Sequence, residues 1–227
     1  MQKTKDFIPY RPSRFPEAEM QQRATGFYEL MNRRRSLRHF SDKPVPKSLI
    51  EKLLMTASTA PSGAHKQPWT FCAIADPEIK KQIRQAAEKE EFDNYHGRMS
   101  TEWLTDLKPF GTNEHKPFLE TVPWIIVVFK RVYELQDQKK QNNYYVNESA
   151  GLATGMLLAA IHQVGLCSLT HTPSPMNFLA RILGRPANER PFLLIPVGYA
   201  ADDARVPDLK RKPASQVIEW FEAGQSG

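Results

Sequence analysis

The stretch "VNESAGLATGMLLAAIHQVGL", residues 146–166, carries almost no charge after Glu148. A helix of that composition has no polar face to turn toward water, so it must be buried nearly all round. Gly151, Ala153, Gly155 and Ala159 leave little side-chain bulk along it. A second helix can therefore approach closely, from the same chain or from another copy. A fold with such an element needs apolar layers around it, and 227 residues suffice to build a full core.

Those layers are visible as further periodic segments. The longest apolar run, "VPWIIVVF" at 122–129, is much too short to cross a bilayer and suits a buried strand. Other strands are expected over Trp69–Ala75, Leu166–Thr172 and Phe192–Tyr199, and helices over Glu17–Arg33 and Pro46–Ala60. Asp76-Pro77 reads as an N-cap followed by proline at the first helical position, opening a polar helix to about Gly97. The region 100–120 is short and charged, and the Gln-, Asn- and Lys-rich segment up to Asn143 reads as a mobile loop. The pattern is α+β with more helices than strands. Residues 1–16, rich in aromatics and prolines, read as an extended arm, and 17–227 as one domain.

With 41% hydrophobic and 25% charged residues the chain is far from disordered or membrane-spanning classes. Its first residues have no apolar signal core, so a cytoplasmic protein is expected. Cys72 and Cys167 lie in apolar stretches without CxxC spacing and read as buried reduced thiols. The net charge of +6 is interleaved with acidic residues along the chain, which argues against nucleic acid and leaves a small anion open.

Four short motifs carry possible chemistry. "NRRRSLRHF" puts Arg34, Arg35, Ser36 and Arg38 within five positions, either a solvated patch at a helix end or a set of donors for phosphate oxygens. "TAPSGAHKQPW" ends a helix at Pro61, and Gly63 lets backbone come close to a neighbour; the loop is a plain turn or a ligand cradle. "EKEEFDNY" places Glu91 and Tyr95 four apart on one helical face, acidic and solvated or facing an ammonium. In "LTHTP", Thr170 and Thr172 alternate to one side of an extended segment, filling a sheet or touching a cofactor. The histidines lack metal-ligand spacing, so no metal is expected, and no G-x-S-x-G, G-x-G-x-x-G or P-loop is present.

In their order along the chain, "RRRSLRHF", "TAPSGAHKQPWTF", "EKEEFDNY", "WLTDLK", "LTHTP", "GRPANE", "PVGYA" and "VPDLKRKP" resemble the iodotyrosine deiodinase branch of the nitroreductase-like flavoprotein superfamily. The resemblance spans about residues 30–215. It implies a nitroreductase-like fold, a central mixed sheet flanked by helices in an intertwined homodimer with active sites at the subunit interface. It implies FMN held by Arg34, Arg35, Ser36, Arg38 and Arg211 at the phosphate, and by Pro61, Ser62, Gly63, Thr170, His171 and Thr172 near the ring. The Thr172 hydroxyl would bond flavin N5 and favour single-electron steps. The Ala64 N–H would meet the substrate phenolate, and Glu91, Tyr95 and Lys116 would hold the ammonium and carboxylate of an amino acid. The activity implied is reductive dehalogenation of 3-iodotyrosine and 3,5-diiodotyrosine to tyrosine and halide, with NADPH or a reductase supplying electrons. A general FMN nitroreductase acting on nitroaromatics or quinones, or a non-catalytic flavin- or halotyrosine-binding protein, are the competing readings.

Overall fold

The structure is a computed structural model that describes residues 8–137 and 139–222. Its centre is strand β2 (Trp124–Arg131), which pairs antiparallel with β1 (Trp69–Ile74) on one side and β6 (Glu189–Gly198) on the other. The short β5 (Cys167–Ser168) closes the sheet in the order β1-β2-β6-β5. The four paired strands are antiparallel, and an isolated parallel bridge between Ser36 and Ser168 adds the mixed character at the edge.

The uninterrupted apolar run of β2 follows from its two covered faces. Ile125, Val127 and Phe129 pack in one cluster with Ile83 and Ala87 of helix α3 (Pro77–Asp93), Leu119 and Leu179. Ile126 and Val128 point the other way, to Ile50 and Leu53 of α2 (Lys47–Ala57) and to Leu157 and Ile161 of α6 (Val146–Gln163). Alternation along one strand thus separates two cores.

Helix α1 (Glu17–Arg33) matches its expected span, and α3 begins as the sequence indicates, with Asp76 accepting the Ile79 N–H at 2.9 Å and Pro77 following. Beyond Asp93 the chain makes a π-helical turn over Asn94–Arg98. The charged region 100–120 holds α4 (Thr101–Leu107) and α5 (Phe118–Thr121), and α7 (Asn177–Ile182) follows β5.

Some expectations are met differently in the structure: of the strand expected over Leu166–Thr172 only Cys167–Ser168 forms, with an isolated bridge at His171. The polar segment after β2 is a hairpin, β3 (Tyr133–Gln136) with β4 (Lys139–Asn142), closed by the Asn143 N–H on the Val132 carbonyl at 3.1 Å and its side-chain amide on the Arg131 carbonyl at 2.8 Å. Helix α6 buries Ala150, Ala153, Leu157 and Ile161, but Leu152 is 52% exposed, and a Cβ on Gly151 or Gly155 would meet nothing within 4 Å. The face bearing Gly151, Leu152 and Gly155 is therefore left open by this chain. The two cysteines are free and half-buried rather than buried. Of the expected arm, residues 1–7 lie outside the described part, and 8–16 have no regular structure.

Candidate active site

Segment 34–40 runs beside β5, with the Leu37 N–H on the Ser168 carbonyl at 3.1 Å. His171 exchanges both backbone hydrogen bonds with Leu194 of β6, at 2.8 and 3.1 Å. These pairings bring the arginine motif and the Thr-His-Thr motif to one end of the sheet, next to the C-terminal turn of α3. Two cavities open there and share Arg38.

The first, of about 270 Å³, is lined by Arg34, Arg35, Ser36, Arg38 and the distant Arg211. Arg211 is held by backbone and amide oxygens: Nη1 donates to the Asn32 carbonyl at 2.9 Å and to Asn32 Oδ1 at 3.0 Å, and Nη2 to the Arg34 carbonyl at 3.0 Å. Arg35 Nη1 also donates to the Asn32 carbonyl, at 2.8 Å. Among the described residues none of Arg34, Arg35, Arg38 and Arg211 pairs with a carboxylate. Burial, then the neighbouring Arg211 and Arg35 cations, push the Arg34 guanidinium below its usual pKa, and burial does the same to Arg38. Converging guanidiniums without a counter-charge form an anion site, and fork-shaped donors suit phosphate oxygens.

The second cavity, of about 210 Å³, is lined by Glu91, Tyr95, Lys116, Thr170, His171 and Thr172 together with Arg38. Glu91 and Lys116 are buried, and Lys116 Nζ lies 3.5 Å from Glu91 Oε2. The ammonium also donates to Thr112 Oγ1 at 3.3 Å and to the Asn113 carbonyl, and stands 5.7 Å from the centre of the Tyr95 ring. Burial raises the Glu91 carboxyl and lowers the Lys116 ammonium, and each partner opposes the shift of the other. Burial also raises the Tyr95 phenol.

Thr170 and Thr172 are exposed on either side of the buried His171, as alternation requires. The His171 ring packs edge-on against Phe118 with centroids 6.2 Å apart, and its Nε2 has no hydrogen-bond partner. Burial, with Lys116 and Arg38 adding positive charge, pushes its pKa down to about 3. The ring is therefore a neutral hydrogen-bonding group at any ordinary pH.

Pro61, Ser62, Gly63 and Ala64 are not brought to these cavities by this chain. They form a 3-10 turn after α2 in which Ala64, His65 and Gln67 all take positive φ, at 49°, 55° and 47°. Non-glycine residues in that region cost energy, and such strain gathers at functional loops. The loop is over-determined: Ser62 Oγ accepts the Gln67 N–H at 2.9 Å, and Arg131 Nη2 reaches the Gln67 and Trp69 carbonyls at 3.2 and 3.1 Å. The neighbour that Gly63 approaches is Tyr144-Tyr145, where an added Cβ would stand 2.9 Å from Tyr145 Cδ2 and 3.1 Å from the Tyr144 carbonyl oxygen. Ala64 is exposed, and its N–H makes no hydrogen bond among the described residues.

Sequence reasoning passed over Met99, Trp103, Leu107 and Phe118, which also line the second cavity, and Asn32, which aligns two arginines. The available signal was Trp103 with Leu104 and Leu107 in the short α4, an apolar set within a charged region.

A sequence profile of the nitroreductase family matches residues 31–199. The iodotyrosine deiodinase of Haliscomenobacter hydrossis is 61% identical over 213 residues, covering 93% of this chain and 96% of that protein. The chain belongs to the nitroreductase family, in its iodotyrosine deiodinase branch. Human iodotyrosine deiodinase 1 is 46% identical over 94% of this chain and 74% of its own length. The fold superposes on a crystal structure of oxidized iodotyrosine deiodinase bound to FMN and 3-iodo-L-tyrosine with a TM-score of 0.73, at 29% identity over 86% of this chain and 98% of that one. A nitroreductase with bound FMN from Bacteroides fragilis, at 18% identity and a TM-score of 0.65, shares the fold. No helix among the described residues is long and apolar enough to cross a membrane.

Proposed function

We propose that this family member is an FMN-dependent halotyrosine dehalogenase, converting 3-iodotyrosine and 3,5-diiodotyrosine to tyrosine. The observation that carries the reading is the buried Glu91–Lys116 pair at 3.5 Å inside a cavity adjoining an unneutralised arginine cluster. A carboxylate and an ammonium side by side are the complement of an amino-acid zwitterion, and an enzyme for plain nitroaromatics or quinones has no need of them.

The donor set fits the cofactor. Arg34, Arg35, Ser36, Arg38 and Arg211 present an excess of cationic donors to one cavity, which a phosphate dianion relieves. Thr170 and Thr172 have two exposed hydroxyls that would serve the ring system, that of Thr172 as the hydrogen-bonding group for N5, with the neutral His171 between them. When bound in its reduced form, FMN supplies the two electrons that, with one proton, replace the carbon–iodine bond by carbon–hydrogen and release iodide. The rest falls to the protein. Glu91 takes the substrate ammonium, Lys116 its carboxylate, and Tyr95 covers them. The free Ala64 N–H meets the phenolate oxygen, which favours the halogenated substrate because iodine lowers the phenol pKa.

Pro61–Ala64 stand apart from the clamp in one chain, so the complete site combines the two regions from two copies in a homodimer. The open face of α6, the unburied α1 and the exposed Trp220 and Phe221 support such an assembly. The electron donor is NADPH or a partner reductase, and a cytoplasmic setting suits both.

The deciding experiment is anaerobic. The purified protein's flavin is reduced with dithionite, 3-iodotyrosine is added, and flavin absorbance is followed with tyrosine release. Reoxidation with stoichiometric tyrosine is expected. Flavin that stays reduced returns the protein to the nitroreductase or binding-protein readings, and the absence of flavin removes both enzyme readings.

A further inference from the structure

Lys116 has to do two incompatible things. Its ammonium bonds Glu91, Thr112 and the Asn113 carbonyl, which takes up its three donors; to hold a zwitterion's carboxylate as well, it would have to give up part of that set. The side chain therefore changes partners while its root stays in register with Glu91. Something has to hold the backbone.

That group is Glu88, one turn before Glu91 on α3 and outside the cavity lining. Its Oε1 accepts the Lys116 backbone N–H at 2.6 Å. The same oxygen accepts Arg84 Nε at 2.9 Å, and Arg84 Nη1 reaches Glu120 Oε1 on α5 at 3.2 Å. The chain Glu120–Arg84–Glu88–Lys116 thus ties α3 to α5 just where Lys116 enters α5, its carbonyl accepting the Leu119 N–H at 3.0 Å. An ionised acceptor holds a backbone N–H more firmly than a neutral one. Burial pushes the Glu88 carboxyl up, but the Lys116 N–H and Arg84 together outweigh it and leave the group below its ordinary value, hence ionised.

We propose that Glu88, braced by Arg84, is a positioning residue that fixes the Lys116 backbone as a pivot, so that the ammonium can pass from Glu91 to a substrate carboxylate. The proposal rests on the reading of Glu91 and Lys116 as the zwitterion clamp. It deepens that reading by adding a residue that touches neither substrate nor cofactor and yet sets preference for the amino acid.

The test uses the FMN-loaded enzyme and two ligands, 3-iodotyrosine and 2-iodophenol, the second lacking the zwitterion. Kd is read by flavin fluorescence titration, and kcat for iodotyrosine from tyrosine release with dithionite. Glu88→Ala is expected to raise the iodotyrosine Kd about tenfold. It should leave the 2-iodophenol Kd and kcat within about twofold. Glu88→Gln keeps an acceptor oxygen and should recover most of the affinity. If Glu88→Ala does not fold, Arg84→Gln removes the brace, leaves the carboxylate, and carries the same comparison. An unchanged iodotyrosine Kd, or equal weakening for both ligands, overturns the pivot. A wild-type enzyme that binds iodotyrosine no better than 2-iodophenol removes the clamp, and the pivot with it.

Discussion

Glu91 and Lys116 neutralise each other 3.5 Å apart, both nearly sealed from water. Removing one charge leaves the other buried alone, which is costly. Glu91→Gln is accordingly expected to weaken 3-iodotyrosine binding on the order of a hundredfold. Reduction of a nitroaromatic, which has no ammonium, should be spared; equal losses for the two would count against the clamp. His171 gives a second expectation at this scale. Its folded pKa of about 3 lies below the ordinary 6.5, so between those values the unfolded chain binds a proton that the folded chain refuses. Stability from this group is fully present above pH 6.5 and is lost as pH falls toward 3. Between pH 7 and pH 5 the loss is about 2 kcal/mol. Urea unfolding of wild type and His171→Gln at both values checks it: the variant's stability should fall less by that amount, and parallel slopes would contradict a neutral, buried imidazole. That Glu91 and Tyr95 share a side was legible from their spacing, although Tyr95 falls in the π-helical turn beyond α3. Lys116 was not, because the π-helical turn and α4 separate it from Glu91 in the chain, and only the resemblance singled it out.

The elements explain why some of the site could be read and some could not. Asp76-Pro77 and the run 122–129 obey local rules of capping and burial, and both behave as read. The hairpin at 133–142 escapes such rules, because its residues are polar and what closes it is Asn143 folding back on Arg131 and Val132. The Pro61–Ala64 turn is intermediate: proline and glycine announced a turn, but its positive φ values fall on Ala64, His65 and Gln67 rather than on Gly63. Arg131 and the Gly63–Tyr144 contact hold it there. Gly63→Ala forces a Cβ to within 3.1 Å of the Tyr144 carbonyl oxygen, so backbone must shift. The expected cost is about 1–3 kcal/mol of stability. With it should go the preference for a phenolate: the rise in iodotyrosine affinity as the phenol ionises, measured by titration across its pKa, is expected to flatten. A variant as stable and as pH-responsive as wild type would show that the close approach has no bearing on the loop.

At the scale of the molecule, the arginine cluster and the Glu91–Lys116 pair are built by one chain, while the strained turn carrying Ala64 lies apart from both cavities. The 146–166 helix, read as buried nearly all round by its own chain or by another copy, fits the same division. Its composition demands burial on all sides, and one chain covers only the face bearing Ala153, Leu157 and Ile161. Gly151, Leu152 and Gly155 stay open, beside an α1 that buries none of its residues despite Phe27 and Tyr28. Composition selects for the assembled state, and an element more apolar than one chain can cover is what the proposed second copy would bury. Leu152→Glu puts a charge at the centre of that open face, where a close helix pair leaves no room or solvent for it. Sedimentation velocity should find wild type as a dimer and the variant shifted to monomer by at least about tenfold in dimer Kd. Far-UV circular dichroism should be unchanged, because Leu152 lies on the exposed side of α6 within its own chain. If the two-copy site is right, the monomer keeps the arginine cradle yet loses FMN affinity and dehalogenation, since Pro61–Ala64 no longer reach the ring. A monomer that still turns over iodotyrosine at the wild-type rate would show the site to be complete in one chain, and the role given to Ala64 would fall.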